Sequence, residues 1–274
     1  MSGSPDSAPK LIVTDLDGTF LSPDGSVSPE NSAAVLAAQG AGVPVLFATG
    51  RPVRWLGVIR DLPGAHPTVI ASNGAVLYDL GAGAVLDRIC IDPEVALRAV
   101  AELRRVLPGT AFAFESGERF GHEPAYRTWA TDDGTNPAIF SGSAEELAHA
   151  GGFVKMLVQN IQVSPDALVD RVREVVADAL TVTHSAGRDH GLVEVSAPGV
   201  SKASMLQRVC AKLGIEQQAV AAFGDMPNDL EMLNWVGMPY VVANAHPELL
   251  RLDYTVVPAN VESGVGVTIS DWVR

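Results

Sequence analysis

Cysteine, basic charge and long apolar runs are all scarce in this chain, and each scarcity removes a class of protein. Only Cys90 and Cys210 are present, far apart and without metal-ligand spacing. A disulfide framework is therefore not expected, and a reducing cytoplasm is the better fit. No apolar run approaches the ~20 residues of a membrane helix. Residues 1–9 lack the basic region and apolar core of a signal peptide and read as a frayed leader. Basic residues number 19 against 32 acidic ones, for a formal charge of −13. A nucleic-acid binder would carry a basic patch, whereas Leu103-Arg104-Arg105 reads as a solvated helix face. Neither a nucleic acid nor a membrane is expected as a partner. An anionic substrate must be received locally, by a metal, a lysine or backbone amides, and not by the overall field.

What the chain has is core material: 274 residues, 47% of them apolar, enough for one large domain or two modest ones. Short apolar runs at 10–14, 43–48 and 68–71 read as buried strands, with helical spacing at 29–39 and 52–60 between them. Each of these helices starts near a proline, which suits a first helical position. The alternation returns late, with helices at 201–213, 228–235 and 246–250 and strands at 219–223, 240–242 and 254–257. Such alternation predicts a parallel sheet covered by helices. The middle differs. Helices at 93–106 and 165–180, with strands that include 110–114, 153–158 and 181–184, predict a small α+β unit inserted into the first domain. The stretch 116–143 takes no clear assignment.

Four short segments carry the chemistry. Asp15 and Asp17 follow the strand Leu11-Ile12-Val13 and precede Gly18-Thr19. Two carboxylates at a strand end form a hard-oxygen metal site, and they cost free energy unless a cation or a proton resolves their repulsion. The plainer reading is an Asp-Gly turn. Asp225 and Asp229 in Gly224-Asp225-Met226-Pro227-Asn228-Asp229 end another strand, where a helix cap would also account for them. Two acidic strand ends in one chain favour a site, because the ligand crevice of an open α/β sheet lies at the carboxyl ends of its strands. Ala48-Thr49-Gly50-Arg51 offers a hydroxyl and amides after a third strand. Lys202, opening a helix in Gly199-Val200-Ser201-Lys202, is at the wrong end for the helix dipole and so is expected to face something anionic.

In this order, and with Ala48-Thr49-Gly50-Arg51-Pro52 and Ser72-Asn73-Gly74-Ala75, these segments resemble the haloacid dehalogenase superfamily, and within it the Cof-type (IIB) phosphatases. The resemblance runs from Asp15 to Asp229. It implies a Rossmann-like α/β core with an inserted α+β cap of the C2 type, the core at 1–83 and 189–274 and the cap at 84–188. It implies a Mg2+-dependent phosphatase of small phosphorylated metabolites, sugar phosphates above all, acting through an aspartyl-phosphate. Asp15 matches the nucleophile and Asp17 the general acid/base. Thr49 and Lys202 match the groups that hold the phosphoryl, with Gly50, Arg51, Asn73 and Asn228 also facing the phosphate. Asp15, Asp17 (through its carbonyl), Asp225 and Asp229 match the metal site.

The long interval between Thr49 and Lys202 places the cap, which would select the leaving group. Its candidates are Glu115, Arg119, His122, Glu123, Tyr126 and Arg127, with His184, His190 and Glu194 near the return; most polar residues on such loops are simply solvated. A monomer or weak homodimer is expected. Two rivals stay open: a phosphosugar mutase on the same scaffold, and a phosphosugar-binding regulator without catalysis. Dehalogenation is disfavoured, since Asp17 and Asp225 would lack a clear role.

Overall fold

Serine or aspartate followed by proline starts three of the helices. The side chains of Ser28, Asp92 and Ser164 accept from backbone amides of the first turn, and Pro29, Pro93 and Pro165 stand where no amide is needed. The computed structural model of the chain describes residues 8–128, 138–183 and 192–273. Strands β1 (Leu11–Thr14), β2 (Val45–Ala48) and β3 (Ala65–Ala71) alternate with helices α1 (Pro29–Gly40) and α2 (Gly57–Arg60), before β4 (Val76–Asp79) and β5 (Ala84–Arg88). The middle comprises α3 (Pro93–Val106), β6 (Ala111–Glu115), β7 (Phe120–His122), β8 (Ile139–Ser141), α4 (Ala144–His149), β9 (Lys155–Gln159), α5 (Pro165–Val176), β10 (Thr181–Thr183) and β11 (Leu192–Ser196). The return comprises α6 (Lys202–Leu213), β12 (Val220–Gly224), α7 (Leu230–Trp235), β13 (Met238–Val242), α8 (Pro247–Leu250), β14 (Thr255–Val257) and α9 (Gly264–Trp272).

Eight strands form the core sheet in the order β14-β13-β12-β1-β2-β3-β4-β5. Pairing is parallel from β14 to β3 and antiparallel from β3 to β5. Strands β1, β2 and β12 are buried at every position, which is why they read as unbroken apolar runs. The chain leaves β1 toward β2 and comes back on the other side as β12, so the strand order reverses between β1 and β12. That reversal opens a crevice at their carboxyl ends.

The inserted cap holds a six-stranded sheet, β10-β11-β9-β6-β7-β8, antiparallel except for β7 with β8. Its two faces differ. Phe112, Phe114, Met156, Val158, Val193 and Val195 belong to the buried apolar cluster that also takes in Val100 and Leu103 of α3, Leu147 of α4 and Leu168 and Val172 of α5. On the other face, by register, Glu115, Lys155, Glu194, Ser196 and Thr183 stand beside a small apolar cluster that takes in Ala111, Ala113, Leu157 and Leu192.

The expected α/β core with an α+β insertion is the architecture found. The expected boundaries at 83/84 and 188/189 fall close to, but not at, the divisions between sheets: β5 pairs with β4 of the core sheet, and β11 lies inside the cap sheet. Three expected helices differ in detail. The segment 52–60 is broken into the single turn Val53–Trp55 and α2, because the Trp55 carbonyl turns to the Arg51 guanidinium and Ile59 takes the Leu56 carbonyl instead. The helix expected to 180 ends at Val176, where Ala177 has a φ of 42°. The helix expected at 228–235 is preceded by the turn Pro227–Asp229 and begins at Leu230. In the unassigned stretch 116–143, β7 and β8 are found at its two ends.

The turn after β3 is the most constrained backbone near the crevice. Ser72, Asn73 and Gly74 have φ of 52°, 56° and 99° in succession. A Cβ on Gly74 would lie 2.0 Å from the Ser201 carbonyl oxygen, so the turn presses backbone against the start of α6. Gly25 also has positive φ, 81°, but open space around it. Gly74→Ala is therefore expected to destabilise the fold by about 3 kcal/mol, and Gly25→Ala by only about 1 kcal/mol. Urea unfolding of the two variants checks this; equal midpoints would refute the close packing inferred at Gly74.

Candidate active site

The crevice gathers charge from four elements. Asp15 follows β1, Asp225 follows β12, Asp229 ends the turn before α7, and Lys202 begins α6. All four are buried, Asp229 and Lys202 at 0% and 1% exposure. The Lys202 Nζ donates to Asp15 Oδ1 at 2.6 Å and to Asp229 Oδ1 at 2.7 Å. Oxygens of Asp15, Asp225 and Asp229 lie within 4.8 Å of one another. Asp229 Oδ2 also accepts the backbone amides of Asp225 (3.0 Å) and Met226 (3.1 Å), which locks the second acidic turn.

Three carboxylates around one ammonium leave two negative charges in excess if all are ionised. Burial works against the Lys202 charge, but Asp15 and Asp229 more than offset it and hold its pKa above the ordinary lysine value. Burial pushes Asp15 well above the usual carboxylate range, against the pull of Lys202 and reinforced by Asp229 and Asp225. Burial, followed by Asp229, pushes Asp225 up to about 7. Lys202 alone therefore does not neutralise the ionised cluster.

The turn at Leu16–Phe20 is built to admit Asp225. A Cβ on Gly18, whose φ is 79°, would lie 2.4 Å from Asp225 Oδ2. The buried Thr19 hydroxyl donates to Asp225 Oδ1 at 2.7 Å. Three asparagines fasten the same turn by its carbonyls: Asn244 on Gly18 (2.8 Å), Asn31 on Phe20 (2.7 Å) and Asn260 on Leu21 (2.8 Å). Sequence reasoning missed Thr19 as a ligand to Asp225 and missed all three asparagines, since their partners are set by tertiary packing.

Asp17 stands apart. Its side chain is 57% exposed and is held by Arg51, with Nε on Oδ2 at 2.8 Å and Nη2 on Oδ1 at 2.6 Å. Arg51, expected on the phosphate, is committed to Asp17 and to the Trp55 carbonyl (3.3 Å). The fork on Asp17 raises the Arg51 pKa further. Thr49 is fully buried at the end of β2, its hydroxyl accepting from the Arg51 amide at 3.1 Å. Gly50 and Asn73 meet the cap: Lys155 Nζ donates to the Gly50 carbonyl (3.1 Å), and Asn73 Nδ2 donates to Glu194 Oε2 (3.0 Å). Asn228 Nδ2 donates to Asn73 Oδ1 at 3.0 Å, so the two expected asparagines are in contact.

The other cap candidates divide clearly. Glu115 is buried in an ion pair with Arg54, and burial raises its pKa against that pull. Glu123 pairs with Arg104 and accepts the Phe112 amide (3.0 Å), a role internal to the cap. His122 Nδ1 lies 2.9 Å from the Glu123 carbonyl, Arg119 stacks over Phe140, and Arg127 is exposed. Tyr126 is buried, and its hydroxyl has no partner among the described residues. His184 and His190 lie outside the described residues. Lys155 was not foreseen, although a lysine inside the apolar run at 153–158 was the available signal.

Residues 12–269 match the family model of haloacid dehalogenase-like hydrolases. Phosphoglycolate phosphatase of Methanothermobacter thermautotrophicus is 28% identical over 256 residues, covering 92% of this chain and 94% of that protein. A 5-amino-6-(5-phospho-D-ribitylamino)uracil phosphatase of Bacillus subtilis is 25% identical over 266 residues, with 96% of each covered. Among solved structures, a phosphatase of the haloalkanoate (HAD) superfamily from Bacteroides thetaiotaomicron superposes with a TM-score of 0.80 at 22% identity, covering 100% of this chain and 99% of that one. A HAD subclass IIB sugar phosphatase gives 0.78 at 19% identity, covering 97% of this chain and 100% of that one. The match takes in both sheets and each acidic strand end, and the chain belongs to the haloacid dehalogenase-like hydrolases.

Proposed function

We propose that this chain is a magnesium-dependent phosphatase of small phosphorylated metabolites, sugar phosphates foremost, that passes the phosphoryl group through Asp15. The observation that carries the reading is the buried Lys202 ammonium bound to Asp15 and Asp229 within a cluster of three carboxylates. Relatives named as phosphatases of phosphoglycolate and of a phosphoribitylamino compound agree in reaction class. Two of the four buried side-chain atoms with no partner among the described residues, the Tyr126 hydroxyl and Asn228 Oδ1, support a hydroxylated leaving group, which has donors and acceptors to meet them.

The cluster fits a divalent cation: its donors are hard oxygens, and with all three carboxylates ionised its excess is two negative charges. Asp15, Asp225 and the Asp17 main-chain carbonyl would hold magnesium, with Asp229 orienting Asp225 and Lys202 from behind. When bound, the cation supplies positive charge to the phosphoryl oxygens, which relieves the repulsion between an anionic nucleophile and an anionic ester.

Lys202 occupies Asp15 Oδ1, and we assign the attack to Oδ2. A bond from Oδ2 to phosphorus forms as the bond from phosphorus to the leaving oxygen breaks. Lys202 and the Thr49 hydroxyl donate to the equatorial oxygens. Asp17 gives its proton to the departing alcohol. Water then attacks the aspartyl-phosphate, its proton passing to Asp17, and inorganic phosphate leaves with both aspartates restored. Asp17 takes this part only when the Arg51 fork lets go, so Arg51 is assigned to parking Asp17 and not to the phosphate.

Asp15→Asn is expected to abolish phosphate release while circular dichroism and melting temperature stay near wild type. Wild-type turnover by the purified variant would sink the assignment. A magnesium-dependent screen of phosphosugars, nucleotides and cofactor phosphates tests the substrate class, and release of free phosphate without a bisphosphate activator separates a phosphatase from a mutase.

The charge excess also sets a pH dependence. Asp225 binds its proton more tightly in the fold, at about 7, than in the unfolded chain, near 3.8. Stability of the metal-free protein is therefore lost as pH rises from about 4 to 7. Magnesium is expected to raise the melting temperature more at pH 8 than at pH 5. A rise that is equal at both values, or larger at pH 5, would contradict binding at this cluster.

A further inference from the structure

Lys155 on β9 and Glu194 on β11 are charged, almost fully buried, and outside the acidic cluster. Lys155 stands opposite Ser196 and Glu194 opposite Leu157, so the two are diagonal neighbours on the cap face turned away from the helices. Their ion pair measures 2.9 Å. Burying two ions is costly and is offset only when their remaining hydrogen-bonding capacity is also met. Here part of that capacity is met by the core. Lys155 Nζ donates to the Gly50 carbonyl at 3.1 Å, and Glu194 Oε2 accepts from Asn73 Nδ2 at 3.0 Å.

Both core partners belong to turns that shape the phosphate side of the crevice. Gly50 directly follows Thr49. Asn73 donates its amide to the Thr49 carbonyl at 2.9 Å and accepts from Asn228 at 3.0 Å, inside the turn that Asp229 closes on the Asp225 amide. One cap ion pair thus touches the turns after β2 and β3 and, through Asn228, the turn before α7. Stability alone does not account for it, because apolar residues of similar volume usually serve a buried site as well or better. The cap face packed on α3, α4 and α5 is apolar, whereas this one carries, beside a small apolar cluster, buried ions bonded to turns of the core.

We propose that the Lys155–Glu194 pair is a catch that sets the Thr49–Gly50 and Asn73 turns for the phosphoryl group when the cap is seated. The proposal rests on the phosphatase reading and extends it. Lys155 and Glu194 are positioning residues: they act through Gly50 and Asn73, and the leaving group does not bind to them.

The test compares wild type with Glu194→Gln and with the double variant Lys155→Met/Glu194→Leu, whose apolar pair keeps the site filled and the fold intact. Steady-state kinetics on p-nitrophenyl phosphate and on a sugar phosphate, with inhibition by inorganic phosphate, give the first readout. Peptide-level hydrogen exchange over 49–51 and 72–75 gives the second. In the double variant, kcat/KM is expected to fall between about ten- and a hundredfold, by the same factor for both esters. The inhibition constant of inorganic phosphate should rise in parallel, and exchange in both turns should quicken. Glu194→Gln, which keeps an acceptor for Asn73, should lose less. A loss confined to the sugar phosphate would make these residues leaving-group contacts and overturn the catch, as would unchanged kinetics and exchange in a folded double variant. Wild type that hydrolyses no ester would refute the phosphatase reading by itself, and the exchange measurement would still decide whether the pair orders the turns.

Discussion

The Lys202 ammonium has almost no water, 1% of the residue being exposed, and the arrangement of the crevice follows from what is needed to keep it charged there. It requires two carboxylates from different parts of the chain, Asp15 and Asp229, at 2.6 and 2.7 Å. That in turn requires β1 and β12 to be neighbours, which the reversal of strand order supplies. It also requires the first turn of α6 to aim a cation at the strand ends, against the sense of the helix dipole. The Ser201 capping box keeps that turn helical, and Gly74 lets the strained turn at Ser72–Gly74 close against it. A side chain at Gly74 would push on the very residue that carries the ammonium.

The cap solves a different problem with the same material. The two faces of its sheet carry different side chains. Period-two alternation provides this: Phe112, Phe114, Met156 and Val158 go to the helices, while Glu115, Lys155 and Glu194 go to the core. The contacts to the core then include ion pairs and hydrogen bonds, specific in register. Arg54 on Glu115 and Lys155 on the Gly50 carbonyl are two such points, and each places a charge beside a turn that follows β2.

How far the sequence could be read depended on the range of the interaction. Apolar runs for β1, β2 and β12 were plain because parallel strands covered on both faces carry no polar alternation. Lys202 was legible because its position conflicts with a local rule. Asp225 and Asp229 were legible because a strand end and a helix start carry their own signals. Asn31, Asn244 and Asn260 left no such mark: each is an ordinary asparagine until packing brings it to a carbonyl of the turn at Leu16–Phe20. The Arg51–Asp17 fork was equally silent, since an arginine after a strand suits a phosphate as well as a carboxylate. The break in the helix expected at 52–60 follows from the same arginine, whose guanidinium takes the Trp55 carbonyl.

The contrast between the two aspartates of the first turn bears on how one motif could hold the two roles proposed for it. Asp15 is 5% exposed and fixed by Lys202, so its charge is set by neighbours and changes little with the solvent. The Asp17 side chain is 57% exposed, two residues on and directly before Gly18, where the backbone turns sharply. On the proposed roles, the group that gives and takes a proton in each cycle needs access to water, whereas the buried nucleophile, which burial pushes toward its neutral form, needs the Lys202 ammonium to hold it anionic. Burial thus separates the pair more effectively than any difference in residue type. The Arg51 fork adds a further condition, because the guanidinium occupies both Asp17 oxygens. On the proposed mechanism, arrival of an anionic ester beside Arg51 would draw the guanidinium away from Asp17, and the acid would be released when there is an alcohol to protonate.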